Sequence, residues 1–197
     1  MMKHILFTLA LTLMLSSHLP VLCQTNLEAQ VRKVLRNEHG TDDEGFDKKS
    51  RLEQVGSKAE VGTILLNLLE QNKYAQPGTE GYKYLIGATS LLGNLQVHEA
   101  AKPLSRIFSD RKINTSARAF ALRSLGQIDA EANKRLLLTA MADPSADYLI
   151  RSFAAEALAD TNDPQVLKAV ERRIREEQNQ TVRRKLEETA QKLRAKQ

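Results

Sequence analysis

One cysteine, no tryptophan and only nine aromatic side chains among 197 residues exclude several ways of building this protein. A lone Cys23 cannot close a disulfide within the chain, so stability must come from packing alone. Few aromatics, with alanine and leucine dominant, describe close-packed helices and argue against a sheet. Long apolar runs are missing too. The longest, Ile5–Leu15, falls short of the roughly 20 residues a membrane span needs, and the next richest stretch is only Ile64–Leu69. Catalytic signatures are equally sparse. No Gly-x-Ser-x-Gly, glycine-rich phosphate loop or dinucleotide fingerprint occurs, and of four histidines two, His4 and His18, fall in the N-terminal leader.

That leader is the first positive feature. Met1 to Cys23 has a short basic start, an apolar stretch and a Pro20-broken exit, the pattern of a secretory signal. Val21 and Cys23 provide the small residues that a signal peptidase favours, which makes Gln24 the expected mature N-terminus. Lipidation of Cys23 is the alternative, disfavoured by the bulky Leu22 before it. About 174 residues follow, enough for one continuous core. Of the 29 basic and 24 acidic residues, ten basic and five acidic lie in residues 165–197, so the positive charge is concentrated at the C-terminal end. Interleaved glutamates, the lack of aromatics there and the export signal all argue against nucleic acid as a partner.

The second positive feature is periodic. Ala88, Ala121 and Ala154 lie 33 apart, as do Leu92, Leu125 and Leu158, and Asp110 and Asp143 keep the same interval. A fixed period of this length indicates stacked supersecondary units. Read as helix pairs, the first helices are predicted over 81–95, 116–128 and 146–159, and the second over 97–109, 130–142 and 164–178. Val97, Ala100, Ala101, Leu104, Ile107 and Phe108 fall on one face at helical spacing, opposite Glu99, Lys102, Arg106 and Ser109. Asn162-Asp163-Pro164 supplies an N-cap and a first-turn proline. A degenerate unit precedes these, with 60–71 as its second helix and an insertion at 76–81. An N-terminal helix is expected to about residue 37. Residues 39–56 read as a charged loop with room for one short helix. The segment 181–195 repeats the first-helix pattern as a polar cap, with Glu188 and Lys192 spaced to pair.

Ile150-Arg151-Ser152-Phe153-Ala154-Ala155-Glu156-Ala157-Leu158 and Ala117-Arg118-Ala119-Phe120-Ala121-Leu122-Arg123-Ser124-Leu125-Gly126 resemble the first helix of HEAT-like repeats of the phycobilin-lyase type. The resemblance covers 81–195 well and 57–73 weakly, and is specific to the repeat. It implies an all-α fold, a short right-handed solenoid of about four helix pairs with capping helices at both ends. The divisions are then a leader at 1–23, an N-terminal helix and charged loop at 24–56, and the array at 57–197. One HEAT-like enzyme, deoxyhypusine hydroxylase, holds two irons through several His-Glu dipeptides. This chain has only His98-Glu99, and His39 is the one other histidine past the leader, so no metal or other cofactor is expected. Asp42, Asp43 and Glu44 lack the alternation of a calcium loop.

Reading the repeat sideways gives the candidate partner-binding residues. Lys102, Arg135 and Lys168 are 33 apart in succession and form a row about 10 Å between neighbours on stacked second helices, flanked by Arg106 and Arg172. A basic row on the concave wall suits an acidic partner. The plainer alternative is a solvated face, with Glu99 and Glu131 near enough to pair with it. Arg118, Arg151 and Arg183 form another row, expected to bind inter-repeat carbonyls or Asp110 and Asp143. Asn114 and Asn179 fit the N-glycosylation pattern, relevant only in a eukaryotic source. The expected function is that of an exported, non-catalytic scaffold that binds an acidic protein partner, with a membrane surface still open. Two alternatives stand beside it: an enzyme or its regulatory subunit, with His98 and 39–56 near a site, or a lipid-anchored envelope component.

Overall fold

Alanine- and leucine-rich segments punctuated by Asp, Asn, Ser and Thr caps become nine helices in the computed structural model, which describes residues 25–36 and 44–196. They are α1 (25–36), α2 (Glu44–Val55), α3 (Lys58–Asn72), α4 (Glu80–Asn94), α5 (Ala101–Ser109, entered through a 3-10 turn His98–Ala100), α6 (Thr115–Ala142), α7 (Tyr148–Leu158), α8 (Pro164–Glu176) and α9 (Gln180–Arg194). Among the described residues there is no strand, and no helix is long and apolar enough to cross a membrane. The leader 1–23, His39, Asp42 and Asp43 lie outside the described residues.

Capping explains where the helices start. Ser57 and Glu60 form a reciprocal capping box on α3. Asn114, Asp147 and Asn179 accept backbone N–H groups at the starts of α6, α7 and α9. Asp163 accepts from Gln165 N at 2.8 Å, with Pro164 in the first turn of α8, as expected from the sequence. These caps satisfy donors that a helix leaves free at its start. The two asparagines of the glycosylation patterns, Asn114 and Asn179, are therefore helix caps through their Oδ1 atoms.

The predicted helix pair 116–128 and 130–142 is one element with a break. Asp129 (φ −163°, ψ 95°) leaves the helical region inside α6, and its carboxylate accepts from Ala132 N at 2.9 Å to restart the helix. The larger departure is α2. Within the expected loop 39–56, which has room for one short helix, residues 44–55 are helical for three turns because Leu52 is fully buried in the N-terminal cluster and α2 packs on α4 and α3. That tertiary contact outweighs a sequence with little periodicity. At the other end, Glu188 does not take Lys192 as its partner: it binds Lys185 at 2.7 Å, three residues back.

The first helices α4, α6, α7 and α9 pack in succession, each against the next, while α5 packs on α6 and α8 on α9. Two apolar clusters result, and α6 serves both. Ala117, Ala121, Leu125 and Ile128 lie in the N-terminal cluster, and Ala119 and Leu122 in the C-terminal one. The periodic alanines and leucines are all in the core: Ala88, Ala121 and Ala154 and Leu92, Leu125 and Leu158 are buried to within 1%.

Close approach between first helices explains the glycine after two of those leucines. A Cβ built on Gly126 would lie 2.3 Å from Ala157 Cβ on α7, a contact neither backbone can relieve without the helices parting. Ser124 reinforces the approach on the α4 side by donating to Thr89 O at 2.8 Å. Replacing a helical glycine gains up to roughly 1 kcal/mol in helix propensity, but overpacking typically costs about 1–3 kcal/mol. Gly126→Val, whose β-branched side chain gives up part of the propensity gain, is expected to lose about 2 kcal/mol by urea unfolding. A neutral result would show that α6 and α7 separate freely.

Candidate functional site

The second helices carry the candidate row on their exposed stripe because their apolar stripe is used inward. Leu104 and Ile107 of α5, Leu137 and Ala140 of α6, and Val166, Leu167 and Val170 of α8 are buried. Helical spacing then forces Lys102 and Arg106, Arg135, and Lys168 and Arg172 outward, and all five are exposed. None forms an ion pair or side-chain hydrogen bond with another described residue. The acids expected nearby do not neutralise them. Glu131 instead accepts from Asn162 N at 2.7 Å and binds Lys134 at 3.0 Å, and those two partners, the backbone first, hold its carboxyl below the usual carboxylate range. Lys134 also reaches Asp163 at 2.7 Å, which fixes it between α6 and α8. Glu99 is exposed beside His98. No cluster of three or more His, Cys, Asp or Glu side chains forms among the described residues.

The first-helix arginines are a different kind of row. Arg118 Nε donates to Phe108 O at 2.9 Å. Arg183 donates through Nε to Glu177 O at 3.1 Å and through Nη2 to the same oxygen, and Arg151 Nη1 donates to Ala146 O. The expected carbonyl contacts are therefore present, but the expected acids are not. Asp110 accepts from Lys112 N at 2.9 Å and Tyr74 OH at 3.0 Å, and Asp143 from Ser145 N at 2.9 Å and Ser145 Oγ at 2.7 Å. Both aspartates follow directly on a second helix, where their short side chains close the next turn; Asp110 also takes the Tyr74 hydroxyl from the preceding unit, and neither reaches a first-helix arginine.

The acid that does cross is Glu177, which the periodic pattern did not single out. It is the residue that ends α8, 2% exposed, and it takes a two-pronged contact from Arg151 (Nε and Nη2, both 3.1 Å), a third from Arg173 Nη2 at 2.8 Å and a fourth from Asn179 N at 2.9 Å. Burial works against its charge, yet the Asn179 N–H and the two guanidinium groups prevail and hold its pKa down at about 2. This group locks α7, α8 and the entry to α9 together. It binds no ligand.

Comparison with known proteins places the repeat. Residues 102–191 match the HEAT repeats. Over that span the repeat is HEAT-like. That span runs from α5 into α9 and includes all five candidate residues. No curated protein and no solved structure matches the chain.

Proposed function

We propose that this chain is an exported, non-catalytic scaffold, a short right-handed solenoid of about four HEAT-like helix pairs that takes an acidic protein partner on its concave second-helix side. Lys102, Arg106, Arg135, Lys168 and Arg172 make the contact. The observation that carries this reading is their availability. Arg151, Arg173, Lys134 and Arg194 are tied to carboxylates, whereas these five present free charge on successive second helices. HEAT repeats commonly mediate protein interactions, and the leader supports placement outside the cytoplasm.

The test is capture of partners by residues 24–197 from separate envelope and cytosolic extracts, beside the triple variant Lys102→Glu, Arg135→Glu and Lys168→Glu. The parent is expected to recover a partner from the envelope extract with affinity that falls as salt rises. The variant is expected to bind at least tenfold more weakly, about 1.4 kcal/mol, with its thermal midpoint unchanged. Equal affinity with equal salt dependence overturns the row. A partner found only in the cytosolic extract overturns export.

A further inference from the structure

Two successive repeat units treat the same arginine differently. In the second, Arg151 is closed by Glu177, the residue that ends α8, and Arg173 four residues earlier shares that carboxylate. In the first, Arg118 stands in the place of Arg151 and Asp143, which ends α6, in the place of Glu177. Thr139 stands in the place of Arg173: the N–H of Asp143 bonds Thr139 O at 3.1 Å as that of Glu177 bonds Arg173 O at 2.9 Å. Asp143 is one methylene shorter than Glu177 and is turned onto Ser145. Arg118 therefore spends its Nε on Phe108 O and makes no other hydrogen bond to the described residues.

The space left open is a cleft of about 580 Å³ between α5, α6 and the start of α7. Arg118, Thr139 and Asp143, the three counterparts of the closed group, all line it, and Arg111 joins them from the loop before α6. Phe108, Leu136 and Ile150 give it an apolar lining, and the Arg118 guanidinium lies over the Phe108 ring, 5.8 Å from its centroid. Two carboxylates are also present, but each already holds backbone donors: Asp143 at Ser145, and Asp147 as the cap of α7, accepting from Leu149 N at 2.8 Å. Partial burial and then the like charge of Arg111 bear on the Arg118 cation, with Asp110 opposing them. With two arginines and two engaged aspartates, the cleft offers no field for a polyanion. It offers one guanidinium fork beside an apolar wall, a geometry suited to a single planar carboxylate.

We infer that this cleft binds one carboxylate of a polypeptide ligand on Arg118, with Arg111 beside it and the adjoining apolar side chain against Phe108 and Leu136. The ligand supplies from outside what Glu177 supplies from within in the next unit. The site is separate from the second-helix row, since none of the five row residues lines the cleft.

Calorimetric titration of the chain with three short peptides tests the site: acetyl-Ala-Leu-Ala with a free C-terminus, acetyl-Ala-Glu-Leu-amide, and acetyl-Ala-Gln-Leu-amide. Binding of either carboxylate peptide at least tenfold tighter than the glutamine peptide is expected, and which one binds identifies the source as a chain end or an acidic side chain. Asp143→Glu restores the reach of Glu177 and is expected to abolish binding while keeping or raising the thermal midpoint. Arg111→Gln, at an exposed loop position, is expected to weaken binding several-fold with folding unchanged. Equal binding of all three peptides, no binding by any of them, tighter binding of inorganic phosphate than of either carboxylate peptide, or unchanged affinity in both variants overturns the inference. Peptide binding retained by the triple row variant separates this site from the row.

Discussion

Glu177→Gln is expected to cost about 3–5 kcal/mol of stability, the typical penalty for removing one partner from a buried charge group, and to lower the thermal midpoint by roughly 6–20 °C for a chain of this size. The cost comes from what remains. Arg151 and Arg173, each with a side chain only 11% exposed, would face each other without the carboxylate between them. Arg173 Nε already has no hydrogen-bond partner among the described residues, so the group has little slack. An apolar replacement of all three, Arg151→Met, Arg173→Met and Glu177→Leu, is expected to recover most of the loss, since a whole buried ion group is often replaceable at little cost. Urea unfolding of the parent, the single variant and the triple variant measures this. A loss below about 1 kcal/mol in the single variant, of the order of an exposed pair, would show that water enters the group freely.

Acid is expected to unfold the protein through the same residue. The carboxyl of Glu177 has a pKa of about 2 in the folded chain against 4.5 for its ordinary value. Its stabilisation is therefore fully present above about pH 4.5 and is lost as pH falls toward 2. Each pH unit between those two values is worth roughly 1.4 kcal/mol, so the loss across that window is about 3 kcal/mol. Glu60, Glu80, Glu131 and Glu188 are also held below their usual range by hydrogen bonds from neighbours, but the first three are exposed and Glu188 is half-buried, and all four contribute equally to parent and variant. Urea midpoints at pH 5.5, 3.5 and 2.5 are expected to fall steeply in the parent and much less in Glu177→Gln. Parallel curves for the two proteins would place the acid-sensitive group elsewhere.

The repeat was legible because its cause is local and repeated. A residue that must be small where two first helices touch recurs at the same place in each unit, and so do the leucines one turn on, which is why Ala121 and Leu125 mark the core without knowledge of any contact. Helix starts were legible for the same reason, since Asp163-Pro164 caps its own helix. Helix α2 was not. Its sequence, Glu44 to Val55, has few apolar residues to set a period, and it is held by packing on α4 and α3 that no local pattern announces.

The candidate sites divide along the same line. That Lys102, Arg135 and Lys168 point away from the core follows from helical spacing alone, because their neighbours at one helical turn are buried. Which charges remain available does not follow from spacing. Asp110 and Asp143 occupy the periodic positions, yet close their own turns without reaching a first-helix arginine, while Glu177, in an ordinary Arg-Glu-Glu-Gln run, reaches an arginine 26 residues earlier. Chain order and period determined the all-helical repeat, the inward and outward faces and the cap positions, because those depend on neighbours within one or two turns. Only the tertiary structure decided that Arg151 is closed and Arg118 open, since that turns on whether a side chain one methylene longer can span the gap between two packed helices.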